Sequence, residues 1–190
     1  IERTRAGTRA GVRDVLRLAS DTTLRLQGTE EGERDAAIMV ALARLDGVPC
    51  IVVGQDKDAQ SPESPMGPGA LREARRGMKL AQELGLPLVS FIDTPGAELS
   101  ASAEEGSMAG EIARCIATMS SLTVPTVSVL WGEGCGGGAL ALMPADVTVA
   151  AQHSWLSPLP PEGASAIVHG HIDAAKDLAE QQRVSSIEMW

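Results

Sequence analysis

Five glycines fall within the seven residues Gly132-Glu133-Gly134-Cys135-Gly136-Gly137-Gly138, and the run passes directly into Ala139-Leu140-Ala141-Leu142-Met143. The apolar stretch 126–131 just upstream reads as a buried strand. A strand, a glycine turn and a helix in that order bare backbone N–H groups at a positive helix end, with no side chain to block a ligand. The chemistry such a turn serves is the holding of an anion, either a permanent phosphate or an oxygen that becomes charged during a reaction. Gly132, Gly134 and Gly137 satisfy the dinucleotide pattern G-x-G-x-x-G, but its context is missing. Only residues 139–145 separate the glycines from the next strand, 146–151, which ends in Gln152-His153 with no acid for a ribose. No Gly-Lys-Ser/Thr follows, which excludes a Walker-type loop. An oxyanion hole for a carbonyl oxygen fits better. The plain alternative is glycine kept for close packing.

Other reactive side chains offer less. Cys135 lies in the turn, yet His153, His169 and His171 supply no clear base for it, so it reads as a small buried thiol. His169-Gly170-His171 gives at most two ligands, and no metal site is expected.

The elements around these residues alternate. Residues 14–26 read as a helix, 36–45 as a strand, Asp46-Gly47 as a hairpin turn and 48–53 as a second strand. Residues 55–69 form a polar loop with Pro62, Pro65 and Pro68 and little of their own to order them. A helix over 70–84 stops at Gly85, and the strand 88–92 runs into Asp93-Thr94-Pro95-Gly96-Ala97. A helix over 104–122 precedes the strand 126–131, and the strand 147–151 leads to a Pro-rich loop over 155–163. Short, continuously apolar strands between helices indicate an α/β fold with both sheet faces covered.

The chain has 190 residues, enough for one domain, with a net charge of −9 that speaks against nucleic acid and anionic membranes as partners. Arg3, Arg5, Arg9, Arg13 and Arg17 break that trend, and Arg9, Arg13 and Arg17 read as a solvated helix face. Three cysteines without a C-x-x-C pair fit a reducing cytoplasm. There is no stretch long enough to span a membrane. The chain opens inside a helical pattern without Met, as a piece of a longer protein would.

Taken in order, several runs resemble the carboxyltransferase component of acetyl-CoA carboxylase, its alpha-type half. They are Ala43-Arg44-Leu45-Asp46-Gly47, Val53-Gly54-Gln55-Asp56-Lys57, Gly77-Met78-Lys79-Leu80-Ala81, Phe91-Ile92-Asp93-Thr94-Pro95-Gly96-Ala97, Ala103-Glu104-Glu105-Gly106, the glycine run, and Ser154-Trp155 with Pro161-Glu162-Gly163. The set is similar to the C-terminal half of fused actinobacterial carboxyltransferases. The resemblance implies a crotonase-like fold, a superhelix of repeated β-β-α units, over one domain, 1–190. It implies transfer of a carboxyl group from carboxybiotin on a biotin carboxyl carrier protein to an acyl-CoA, with acetyl-CoA the expected acceptor and malonyl-CoA the product, and propionyl-CoA the alternative acceptor. The partner would be a beta-type half that holds the thioester, within an oligomer. No protein nucleophile or base is needed in that reaction, only donors for developing oxygen anions. The N–H groups of Gly137, Gly138 and Ala139 match the catalytic segment. Asp93, Thr94, Pro95, Gly96, Ala97, Gly134, Cys135 and Gly136 match the biotin groove, with Trp155, Pro161, Glu162 and Gly163 beside it. The chain departs from the family pattern at Glu98 and Leu99, at Gly136 and at Pro160, and Glu98 brings a charge toward the biotin path. Two other functions use the same scaffold. One is a crotonase-like hydrolase or isomerase with Glu104 or Glu105 as its carboxylate. The other is a non-catalytic assembly subunit.

Overall fold

The computed structural model describes residues 1–7, 9–29 and 31–189. Its elements are α1 (Val12–Ala19), β1 (Ser20–Leu26), β2 (Ile38–Leu45), β3 (Val48–Gln55), α2 (Pro68–Leu84), β4 (Leu88–Thr94), α3 (Ala101–Glu105), α4 (Met108–Ser121), β5 (Thr126–Cys135), α5 (Gly136–Leu140), β6 (Val147–Ala150), β7 (Trp155–Ser157), α6 (Pro161–His169), α7 (Ala175–Gln181) and α8 (Ser186–Met189). The α/β class expected from the alternation is the one observed.

One mixed seven-stranded sheet runs in the order β1-β2-β3-β4-β5-β6, with β7 paired to β5 beyond the end of β6. The β1-β2-β3 edge is antiparallel, and from β3 onward the neighbours are parallel. The β2–β3 turn is Asp46-Gly47, with φ of 47° and 77°. That pair of positive angles is what a tight two-residue hairpin requires. Side chains alternate across the sheet. Ile38, Val40, Ile51 and Val53 face α2, where Leu71, Ala74 and Met78 close the main core. Met39, Ala41, Cys50 and Val52 face the other way, against Val12 and Leu16 of α1. Burial on both faces explains why these strands read as unbroken apolar runs.

Four sequence expectations are corrected here. The helix placed at 14–26 ends at Ala19, and its second half is the edge strand β1. The Ser20 hydroxyl closes the helix on the Leu16 carbonyl, and the β-branched Thr22-Thr23 pair favours the pleated ladder with β2. The helix placed at 104–122 is two helices. Ser100 caps α3 by accepting from the Ala103 N–H, and Ser107 takes φ of 67° before α4 starts. Gly106 lies so close to Pro68 that a Cβ there would come within 2.8 Å of its ring, and the chain bends to keep that contact. The segment 55–69 is anchored rather than loose. The Gln60 amide donates to the Asp56 and Asp93 carbonyls, and Met66 is fully buried with its carbonyl accepting from Glu98 N–H. The Pro-rich stretch 155–163 contains β7 and the start of α6.

Candidate active site

The glycine run is mostly strand. β5 continues through Gly132, Glu133 and Gly134 to Cys135, because β7 supplies a second ladder partner there, Trp155 opposite Glu133 and Ser157 opposite Cys135. Only Gly136, at φ of 61°, makes a turn that requires glycine, and α5 opens on it. On β4, Ile92 lies opposite Leu130 and Thr94 opposite Gly134, so β5 bulges over the intervening residues. At Gly132 a Cβ would overlap the Asp93 carboxylate and come within 2.5 Å of Arg9 Nη2. At Gly134 it would meet Leu130, Leu156 and the Trp155 carbonyl. These two glycines make room for the protein itself, so the packing alternative holds for them.

The anion-holding reading then rests on Gly137, Gly138 and Ala139. They form the first turn of α5, where helical N–H groups have no carbonyl upstream. Among the described residues, the Gly138 and Ala139 N–H groups donate to no side chain and to no carbonyl outside the helix. A Cβ on Gly138 would lie 2.6 Å from Met66 Cε and 3.4 Å from the Ala97 N, and one on Gly137 would lie 2.7 Å from Ile112 Cδ1. Gly96, across the gap, faces Cys135 Sγ at 3.6 Å from where its Cβ would be. The two sequence-nominated segments, 93–97 and 134–139, therefore interlock at the carboxyl ends of parallel β4 and β5. That is the side of an open parallel sheet where ligands bind. Pro95 is exposed, Gly96, Ala97, Gly136 and Gly137 are part-exposed, and Gly138 and Ala139 sit beneath them. The side chains packed about these glycines, Met66, Ala97, Ile112 and the neighbouring Ala139, are apolar, and Met66 and Ala139 are fully buried.

Cys135 is buried, and burial followed by the nearby Glu133 pushes its thiol up to about 11, far from a nucleophile's range. Trp155 is buried on β7, Pro161 opens α6, and Glu162 lies in its first turn with Gly163 following. Glu98 does not project toward Gly138. Its carboxylate accepts from the Ser100 hydroxyl at 2.6 Å and lies 3.5 Å from where a Gly67 Cβ would stand. Glu104 and Glu105 are exposed on α3, and neither places a carboxylate in the groove.

The reading as a solvated face holds for Arg17, which is exposed and pairs with Asp14 on its own helix, but not for Arg9 and Arg13, and Arg5 joins them in binding across the fold. Arg5 bonds Glu133 at 2.9 Å and both oxygens of Glu162 at 2.6 and 3.3 Å, and its guanidinium lies 5.8 Å from the Trp155 ring centroid. Arg9 bonds Asp93 at 2.8 Å and the Thr4 carbonyl at 2.7 Å, and Arg13 bonds the buried Asp56. Each acid stands at or just past the carboxyl end of a different strand or at the start of α6, so the arm ties the rim of the groove together. The sequence carried a signal for this. Asp56, Asp93 and Glu133 each close an apolar strand, and a matching row of arginines precedes them.

Asp93 is the buried member. Its Oδ1 accepts from Arg9 and from the Glu133 N–H at 3.1 Å, while Oδ2 and Arg9 Nη1 are buried without partners among the described residues. Burial pushes the Asp93 carboxyl above the ordinary range, against the pull of Arg9 and the Glu133 amide. A raised folded pKa means that the native state holds the proton over a window where the unfolded state, near about 3.9, has lost it. Stability therefore falls as pH rises through that window. Arg9→Met removes the main counter-pull and widens the window. The expected result is a loss of about 2–3 kcal/mol near neutral pH, shrinking as the solution is acidified toward pH of about 5. Urea unfolding of both chains at the two pH values measures it, and a pH-independent difference would contradict the Asp93 assignment.

With this geometry in place, comparison with known proteins is decisive. The family model described as "acetyl co-enzyme A carboxylase carboxyltransferase-like" matches residues 1–190. The chain belongs to that family. It is 51% identical over 181 residues to a probable biotin-dependent acyl-coenzyme A carboxylase beta3 subunit of Mycobacterium tuberculosis, a match covering 95% of this chain and 36% of that protein. It is 35% identical over 180 residues to the acetyl-coenzyme A carboxylase carboxyl transferase subunit alpha of Francisella philomiragia, covering 92% of this chain and 57% of that one. The chain thus spans between about a third and just over half of these relatives. Among solved structures, transcarboxylase 12S matches with a TM-score of 0.77 at 21% identity, covering 96% of this chain and 37% of that one. A single-chain, multi-domain long-chain acyl-CoA carboxylase matches with a TM-score of 0.78 at 21% identity, covering 97% and 19%. The chain therefore has the crotonase-like fold that the resemblance implied.

Proposed function

We propose that this family member is an alpha-type carboxyltransferase half, spanning one domain, that forms the biotin side of an active site. The reaction is carboxyl transfer from carboxybiotin on a carrier protein to an acyl-CoA held by a beta-type half, with acetyl-CoA as acceptor and malonyl-CoA as product. The carrying observation is the interlock of segments 93–97 and 134–139 among apolar neighbours, with the Gly138 and Ala139 N–H groups donating, among the described residues, to nothing outside α5. Carboxybiotin supplies the carboxyl group to be moved. The groove suits its ureido ring, because the lining is neutral, the glycines leave backbone exposed, and N–H donors rather than side chains meet the ring oxygen. The chain's own work is then to bind and orient that ring on Ala97, Gly136 and Gly137, to set Gly138 and Ala139 N–H on the oxygen where charge develops, and to exclude water. No nucleophile or base is required of Cys135 or of the exposed Glu104 and Glu105. The reading includes assembly into an oligomer with the beta-type half, and a cytoplasmic setting in which the free, buried Cys50, Cys115 and Cys135 stay reduced. No helix among the described residues is long and apolar enough to cross a membrane.

Malonyl-CoA-dependent carboxylation of biocytin, run in the reverse direction, tests this. Activity is expected when the chain is assembled with a beta-type half and absent from the chain by itself. A folded assembly that neither carboxylates nor binds biocytin would leave a non-catalytic assembly subunit as the better reading.

A further inference from the structure

The Gly138–Ala139 peptide is held from behind by a side chain that no catalytic segment includes. Gln55, at the carboxyl end of β3, is fully buried. Its Nε2 donates to the Gly138 carbonyl at 2.7 Å, and its Oε1 accepts from the Asp93 N–H at 3.0 Å. One amide thus joins α5 to the end of β4, the two segments that interlock at the groove. The Gly138 carbonyl belongs to the same planar, trans peptide as the Ala139 N–H, so the two groups point in opposite directions. A donor fixed on the carbonyl therefore fixes the direction of the N–H. It also polarises the peptide, because hydrogen bonds in series strengthen one another.

We propose that Gln55 is a positioning residue that aims the Ala139 N–H into the groove and strengthens it as an oxyanion donor. The inference rests on the oxyanion reading of α5 given above. Gln55 reaches no substrate and acts through the peptide. The bond also satisfies one of the carbonyls that a short helix leaves unpaired, so the test must separate aim from packing.

The separating variant is Gln55→Glu in the chain assembled with a beta-type half. Protonated, the carboxylic acid can still donate to the Gly138 carbonyl and accept from the Asp93 N–H. Ionised, it can only accept, and it faces the carbonyl with a lone pair. A buried glutamate titrates as high as about 8–9, so the change falls within an assayable range. Biocytin carboxylation by the variant is expected to drop about tenfold or more in kcat at pH of about 9, with KM little changed, and to recover toward wild type near pH of about 6. The wild-type profile should lack that ionisation. Gln55→Met, which keeps the volume and loses both bonds, should show the deficit at every pH, and its Ala139 amide proton should move upfield in NMR spectra. Active wild type with a Gln55→Glu profile that parallels it, or with an unshifted Ala139 resonance in folded Gln55→Met, overturns the positioning role alone. Inactive wild type overturns the oxyanion reading and this inference with it.

Discussion

Gly132→Ala is expected to destabilise the chain by about 3–5 kcal/mol, the range for breaking a buried ion pair, although the change adds one methyl group. That methyl would overlap Asp93 Oδ1 and crowd Arg9 Nη2. Neither neighbour can step aside cheaply. Asp93 is fixed at the end of β4 by the Glu133 N–H and by Gln55 on its own N–H, and Arg9 is fixed by the Thr4 carbonyl. Either the pair separates in a buried setting or the β5 bulge straightens and its ladder with β7 slips. Urea unfolding measures the loss directly. A further comparison identifies the cause: in an Asp93→Asn background the same Gly132→Ala change should cost markedly less, because the charge it displaces is gone. Equal losses in the two backgrounds would show that the glycine serves the backbone of β5 rather than the ion pair.

The second large effect is on catalysis. Gly138→Val should lower kcat for biocytin carboxylation by about 10²–10³-fold, the loss seen when one oxyanion donor is removed. The first carbon of the new side chain would lie 2.6 Å from Met66 Cε and 3.4 Å from the Ala97 N. The methionine end could yield to that carbon and the Ala97 contact is an ordinary one, so the obstacle is the pair of methyl groups valine carries beyond it, which must fit between Met66 and an Ala97 backbone held by its bridge to Met66. The first turn of α5 would shift, carrying the N–H groups away from the groove. The far-UV spectrum should change little, because α5 has only five residues, whereas the unfolding midpoint should fall, because Ala139 and Met66 belong to the main core. A variant that keeps wild-type kcat would mean that the donors lie elsewhere.

How far the sequence revealed this arrangement differs from element to element. The hairpin at Asp46-Gly47, helix α2 with its Gly85 stop, and the parallel strands were legible because each carries a local signature: turn residues, a cap, or a continuous apolar run. The division of 104–122 into two helices was not, since the break is set by Gly106 packing on Pro68, a contact across the fold. The extension of β5 through the glycines was hidden for the same reason. Glycine signals a turn locally, and only the position of β7 shows that a ladder continues there. Within the site, the segments 93–97 and 134–139 were named from their order along the chain, and the fold sets them against each other. Gln55, Met66 and the arginine arm were missed as site residues. Their importance lies in pairings with residues far along the chain, which residue type and spacing do not display.

The arm that binds Asp56, Asp93, Glu133 and Glu162 has a consequence for the order in which the molecule assembles. Its pairs span 43, 84, 128 and 157 positions of sequence. Loop closure over such lengths must be met before any of these bonds exists. Each acid, moreover, occupies its position only once its own strand or helix has formed. Residues 5–13 are therefore seated only after β3, β4, β5 and α6, all of which follow them in the chain, are in place, so that closing the rim is a late event although the arm lies ahead of every element it ties together.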